Sequence, residues 1–197
     1  MTRRFKWLCI FLLAFAAGEV GAHSFQVGFL APRPDAQIGP VRQALDGFML
    51  ATTERDSHPD EHSDGHLGGL DVYVRAVDTA QDPEITRRLI GQLIRRQNVE
   101  VLTGVMTPAL VELVREEIAG TSAVLLTVDE SRFTGTAAAD PVFSAAFRSA
   151  YGYSPSRAAH EGYCIAKAID RAVRTLAGDF SDPEQVRALL TEAGCGQ

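Results

Sequence analysis

The chain has 197 residues, 19 Lys and Arg against 25 Asp and Glu, and a formal net charge of −6. That length suits one domain with one hydrophobic core. An acidic surface makes nucleic acid and anionic membrane surfaces poor partners.

Residues 1–22 have the form of a cleaved secretion signal. Arg3, Arg4 and Lys6 form a basic start, Trp7 to Ala17 form an apolar run too short to span a bilayer, and Val20-Gly21-Ala22 supplies small residues for cleavage. Cleavage there leaves 175 residues with 16 basic and 24 acidic side chains, exported to the periplasm as a single domain over 23–197. Cys164 and Cys195 are then the only cysteines. If the helices that carry or precede them form an antiparallel hairpin, an oxidising compartment favours a disulfide between them. Two separate thiols are the alternative.

Val27 to Ala31 is a short apolar run fit for a buried strand. Val41, Ala44, Leu45, Phe48 and Ala51 then repeat at helical spacing as far as Glu54. Residues 56–69 are polar and glycine-rich and read as a loop. Leu70, Val72, Val74 and Val77 make a second strand, and Asp82-Pro83-Glu84 opens a helix with an Asp cap and a Pro in its first turn. Val99 to Gly104 is a third strand, Pro108 starts a helix, and Ala123 to Val128 is a fourth strand. Residues 129–139 have no periodicity. Helices follow from Asp140-Pro141, from about Ser156, and from Asp182-Pro183-Glu184. Strand and helix alternating in this way predict an α/β three-layer sandwich with a mainly parallel sheet of about four or five strands.

Three segments resemble the type I periplasmic solute-binding proteins, the branched-chain amino-acid-binding family. "VGFLAP" at 27–32 with "ALDGFMLA" at 44–51 is similar to the family's opening strand and first helix. "GGLDVYVRAVDTAQDPEITRRLIGQLIRRQNVEVLTGV" at 68–105 is similar to its second unit. "FRSAYGYSPSRAAHEGYCIAKAIDRAV" at 147–173 is similar to its later helix pair. The resemblance implies a single lobe: the chain passes from the fourth strand through 129–139 directly to the helix pair, where the family inserts a whole second lobe. It implies a component of an ABC transporter that takes a small solute, amino-acid-like or other, and meets a periplasmic or membrane transporter component.

Ligands of an open parallel sheet bind beyond the carboxyl ends of its strands. That places Pro32 and Arg33, Asp78 and Thr79, Met106 and Thr107, and Asp129 and Glu130 around one edge. In the family, hydroxyl residues after the third and fourth strands hold an amino acid's α-carboxylate and α-amino group. Met106-Thr107 and Asp129-Glu130-Ser131 depart from that pattern here. Two acids repel a carboxylate and suit an amine, and Thr107 also reads as a plain helix cap. A lone lobe offers one wall, so tight capture needs a second wall from a homodimer or another subunit.

His58, His62 and His66 lie among four carboxylates in the 56–66 loop and have imidazole chemistry for Zn²⁺, Cu²⁺ or Ni²⁺. A solvated polar loop is the plainer reading, and the loop belongs at the sheet end opposite the ligand edge. His23, N-terminal after cleavage, could chelate copper only with a second histidine. No nucleophile elbow, phosphate loop, His-Glu-x-x-His or Cys-x-x-Cys occurs, so the reading is a non-enzyme without a cofactor. The alternative is an accessory protein of an exported complex, using an apolar face near Met106 and Phe133.

Overall fold

A computed structural model describes residues 24–35, 39–54, 62–127, 133 and 140–192, without the side chains of 191 and 192. The elements run β1 (Ser24–Ala31), α1 (Pro40–Thr53), β2 (His66–Leu67), β3 (Leu70–Asp78), α2 (Pro83–Gln97), β4 (Val101–Gly104), α3 (Pro108–Ile118), β5 (Val124–Leu125), α4 (Pro141–Tyr151), α5 (Arg157–Thr175) and α6 (Pro183–Glu192). The sheet order is β2-β3-β1-β4-β5. β1 pairs in parallel with both β3 and β4, β4 pairs in parallel with β5, and β2 pairs antiparallel with β3. This is the expected α/β sandwich.

β1 is central because both of its faces are apolar. Phe25, Val27, Phe29 and Ala31 point into a cluster with Ala44, Phe48 and Ala51 of α1 and Ile165, Ile169 and Val173 of α5. Leu30 points the other way, into a cluster with Ile90, Leu93 and Ile94 of α2 and Val114 and Ile118 of α3. A strand buried on both faces reads as a continuous apolar run, as this one does. Gly28 has no side chain to fill the second face; a Cβ there would stand 2.6 Å from Leu102 and 3.3 Å from Leu93.

The caps are local and match the sequence. Asp82 accepts the Glu84 N–H at 2.9 Å, Asp140 accepts those of Val142 and Phe143 at 2.9 and 3.0 Å, and Asp182 accepts that of Glu184 at 3.0 Å. Ser156 caps α5 through the Ala159 N–H. Each satisfies amides that the first helical turn leaves without partners.

Two expectations need correction. The loop expected over 56–69 contains a strand: His66 and Leu67 pair with Asp71 and Leu70. Gly68 and Gly69 close that hairpin with φ of 66° and 89°, the double left-handed conformation of a tight two-residue turn. A two-residue strand has no period to read. The fourth strand, expected over 123–128, is confined to Val124 and Leu125, although Leu126 still donates its N–H to the Leu102 carbonyl at 2.8 Å.

α5 docks onto this hairpin. Asp170 accepts the Gly68 N–H at 2.8 Å and holds Arg174 at 3.0 Å. Phe133, within the stretch without periodicity, is 4% exposed and packs in the first cluster.

Candidate functional site

The order β3-β1-β4 creates a switch point. The chain leaves β1 toward α1 on one face of the sheet and leaves β4 toward α3 on the other. Diverging loops after adjacent parallel strands open a crevice at their carboxyl ends. The strand ends are level there, since Ala31 is opposite Asp78 and Leu30 is opposite Gly104. Pro32 and Arg33 therefore stand on one side, Met106 and Thr107 on the other, and Asp78 and Thr79 flank β1.

Asp78 organises this edge. Its carboxylate accepts the N–H groups of Arg33 and Ala80, both at 2.8 Å, and the Gln81 side-chain amide at 3.0 Å. The Arg33 N–H bond, ahead of the others, holds the Asp78 carboxyl below its ordinary range. Thr79 adds a ladder bond, its N–H donating to the Ala31 carbonyl at 3.0 Å. Arg33 takes a left-handed backbone with φ of 51°, a conformation that non-glycine residues seldom adopt without support. Asp78 supplies that support, and Arg33 is left exposed at the rim.

The opposite wall is tighter. Gly104 has φ of 134°, and a Cβ there would stand 2.0 Å from the Leu30 carbonyl oxygen. Met106 is 4% exposed and belongs to the second apolar cluster. Thr107 caps α3, its hydroxyl accepting the Leu110 N–H at 3.3 Å while its carbonyl accepts the Val111 N–H at 3.0 Å. The cap reading of Thr107 is thus realised in the fold. Of the apolar exposed face considered near Met106 and Phe133, those two side chains themselves are buried. Asp129 and Glu130 lie outside the described residues.

One polar group at this edge escaped the sequence reading. Thr103 is fully buried on β4, and its hydroxyl has no hydrogen-bond partner among the described residues. It is level with Phe29 in the register. A threonine inside an apolar strand run was the only signal for it.

His62 is exposed, and His66 Nε2 lies 2.8 Å from an Asp71 carboxylate oxygen across the hairpin. Among the described residues no group of three or more His, Cys, Asp or Glu is arranged to hold a metal ion. His58 and His23 lie outside them. The adjoining Asp64 is used structurally, its carboxylate accepting the Val74 N–H at 2.8 Å. Cys164 is disulfide-bonded and 4% exposed, with its Sγ 3.6 Å from His160 Nδ1; Cys195 lies outside the described residues. Among the described residues no helix is long and apolar enough to cross a membrane.

No family model and no curated protein matches the sequence. Solved structures do match. A solute-binding protein of an ABC transporter from R. palustris, in complex with benzoate, aligns with a TM-score of 0.63 at 12% identity over 85% of this chain and 85% of that one. A leucine-binding protein from Thermotoga maritima aligns with a TM-score of 0.55 at 12% identity, over 84% of this chain and 87% of that one. A possible leucine/isoleucine/valine-binding protein from Rhodopirellula baltica gives 0.53 at 11% identity, over 89% and 88%. Together with the sheet order and the switch-point crevice, these likenesses show that the chain has the fold of a single lobe of the type I periplasmic solute-binding proteins.

Proposed function

We propose that residues 23–197 form an exported, non-catalytic solute-binding lobe, released into the periplasm by removal of 1–22. Its crevice between β1 and β4 would take a small solute bearing a carboxylate. The observation that carries this reading is Arg33, exposed at the crevice rim on a backbone fixed by Asp78. A guanidinium there suits a carboxylate, and the α3 N-terminus across the crevice adds a positive dipole end. Asp129 and Glu130, which follow the fourth strand in sequence, would meet an amine. An amino-acid-like solute is therefore favoured over a simple carboxylate. The R. palustris and Thermotoga relatives are solved or named with benzoate and leucine, which supports the solute class without fixing it.

One lobe covers only one side of a ligand, whereas good small-molecule pockets bury most of the ligand surface. The second wall would come from a transporter component. Titration calorimetry of the monomer with leucine and benzoate tests this. Weak binding of leucine, lost in Arg33→Ala, is expected. Nanomolar capture by a strict monomer, or capture only by a homodimer, would overturn the single-wall reading. Unchanged binding in Arg33→Ala would remove Arg33 from the site. We also propose Cys195 as the partner of Cys164, to be checked by peptide mapping without reduction.

A further inference from the structure

The outer face of α2 gathers positive charge on an acidic chain. Arg88, Gln92, Arg95 and Arg96, with Gly91, line a notch of about 200 Å³. The helical repeat brings them together: residues four and seven apart share a face, and Arg88 and Arg95 are about 10 Å apart along the axis. Neighbouring carboxylates are already shared. Glu116 and Glu117 hold Arg87 at 2.9 and 3.1 Å, and Glu117 reaches Arg95 only at 3.5 Å. Arg88 and Arg96 are exposed and have no ion-pair partner among the described residues.

Gly91 makes the notch. Glycine inside a helix is destabilising compared with alanine. Here the space is occupied, because a Cβ at 91 would stand 2.0 Å from Arg95 Nη2. The Arg95 side chain thus lies back along the helix over Gly91 and contributes a third guanidinium to the same face. Scattered through the sequence these arginines are outnumbered by acids; folded, they form a positive island.

We propose that this face docks an acidic segment of a protein partner, one that presents successive carboxylates to Arg88, Arg95 and Arg96. Successive acidic side chains of a polypeptide can pair with several guanidiniums of one helix face at once. Charge complementarity favours such a segment on this face of an otherwise acidic chain. α2 runs from the crevice end of the sheet toward the opposite end, so its C-terminal half stays clear of the solute crevice. The inference does not depend on the solute reading.

The test is fluorescence anisotropy of the full chain with a labelled alanine-based helical peptide carrying glutamates two turns apart, against the same peptide with glutamines. The glutamate peptide should bind, and raising salt to about 0.5 M should weaken it strongly. The double variant Arg88→Gln/Arg96→Gln, checked for unchanged circular dichroism, should lose at least about tenfold, the equivalent of about 1.4 kcal/mol. Gly91→Ala, which displaces the Arg95 guanidinium, should lose a few-fold. Equal binding of both peptides, or binding by the double variant within about twofold, overturns the proposal. So does binding to phosphatidylglycerol vesicles without binding to the peptide, or saturation of the face by inorganic phosphate alone.

Discussion

Gly47 of α1 and Ala159 of α5 are in backbone contact: a Cβ on Gly47 would stand 1.8 Å from the Ala159 carbonyl oxygen. The relation is reciprocal, since a Cβ on Gly162 would stand 1.8 Å from the Ala44 carbonyl oxygen. Ala-x-x-Gly on each helix therefore lets α1 and α5 meet without side chains between them. Both helices then reach the same face of β1.

Gly47→Ala should be destabilising even though alanine favours a helix by about 1 kcal/mol. The methyl group has only backbone to push against, so the helices must separate and open the cluster around Phe48 and Ile169. Overpacking of this kind costs about 1–3 kcal/mol. A net loss of about 1 kcal/mol is expected in urea unfolding, and a midpoint raised as helix propensity alone predicts would disprove the close contact.

Asp46 is buried on α1, accepting a short hydrogen bond from the Tyr153 hydroxyl and one from Arg42 Nε at 2.7 Å. Burial, then the Asp46 charge, raises Tyr151 to about 12, and burial with the Asp46 hydrogen bond raises Tyr153 further. The folded state holds these protons after the unfolded chain has released them near pH 10. Stability should be intact below pH 10 and fall as the pH rises from there toward 12. Tyr153→Phe should cost about 1–3 kcal/mol at neutral pH and shallow the alkaline fall. Thermal melts from pH 8 to 11 would read both.

Glu100 precedes β4, and its carboxylate accepts the Gln26 N–H at 2.8 Å. Burial raises its affinity for a proton, only partly offset by that bond. The folded state thus binds the proton more tightly than the unfolded one, and this term falls as the pH climbs above the ordinary carboxyl range. Glu100→Gln keeps an acceptor for Gln26 and removes the buried charge. It should raise the melting temperature at pH 7.5 and leave it nearly unchanged at pH 4. A lower melting temperature at pH 7.5 would show that the charge stabilises the fold.

Asp78 shows the opposite sign. Its proton affinity is lowered by the Arg33 and Ala80 N–H groups, so its contribution is present at neutral pH and lost as the pH falls through the acid range. Asp78→Asn should flatten the acid limb of the stability profile and weaken any solute binding that uses Arg33. A variant with the wild-type acid limb would separate Asp78 from the support of this turn.

Thr103 is the simplest place to gain stability. Its buried hydroxyl has no partner among the described residues, and valine has the same shape. Thr103→Val should add about 1 kcal/mol in denaturant unfolding. A loss there would mean that the hydroxyl is satisfied in solution.

Much of the fold was legible because its signals act over a few residues. The apolar run at Val27 to Ala31, the stripe Ile90, Leu93 and Ile94, and the capping aspartates at 82, 140 and 182 each specify their own element. The hairpin at His66–Leu67 was not legible, since its pairing rests on Gly68, Gly69 and the distant Asp170. The candidate edge was placed by strand order of the expected kind, but its side chains were not. Asp78 and Thr107 are spent on a turn and a cap, Met106 is in the core, and Thr103 was overlooked.

By itself the sequence determined the alternation of strands and helices, their caps, and the single-lobe resemblance, because periodicity and capping are properties of neighbours along the chain. Only the tertiary structure decided which loops diverge at the crevice and which tyrosine reaches Asp46 from 107 residues away. Those outcomes depend on how closely α1 and α5 approach and on which side of β1 each helix lies. Contact geometry between distant elements sets both.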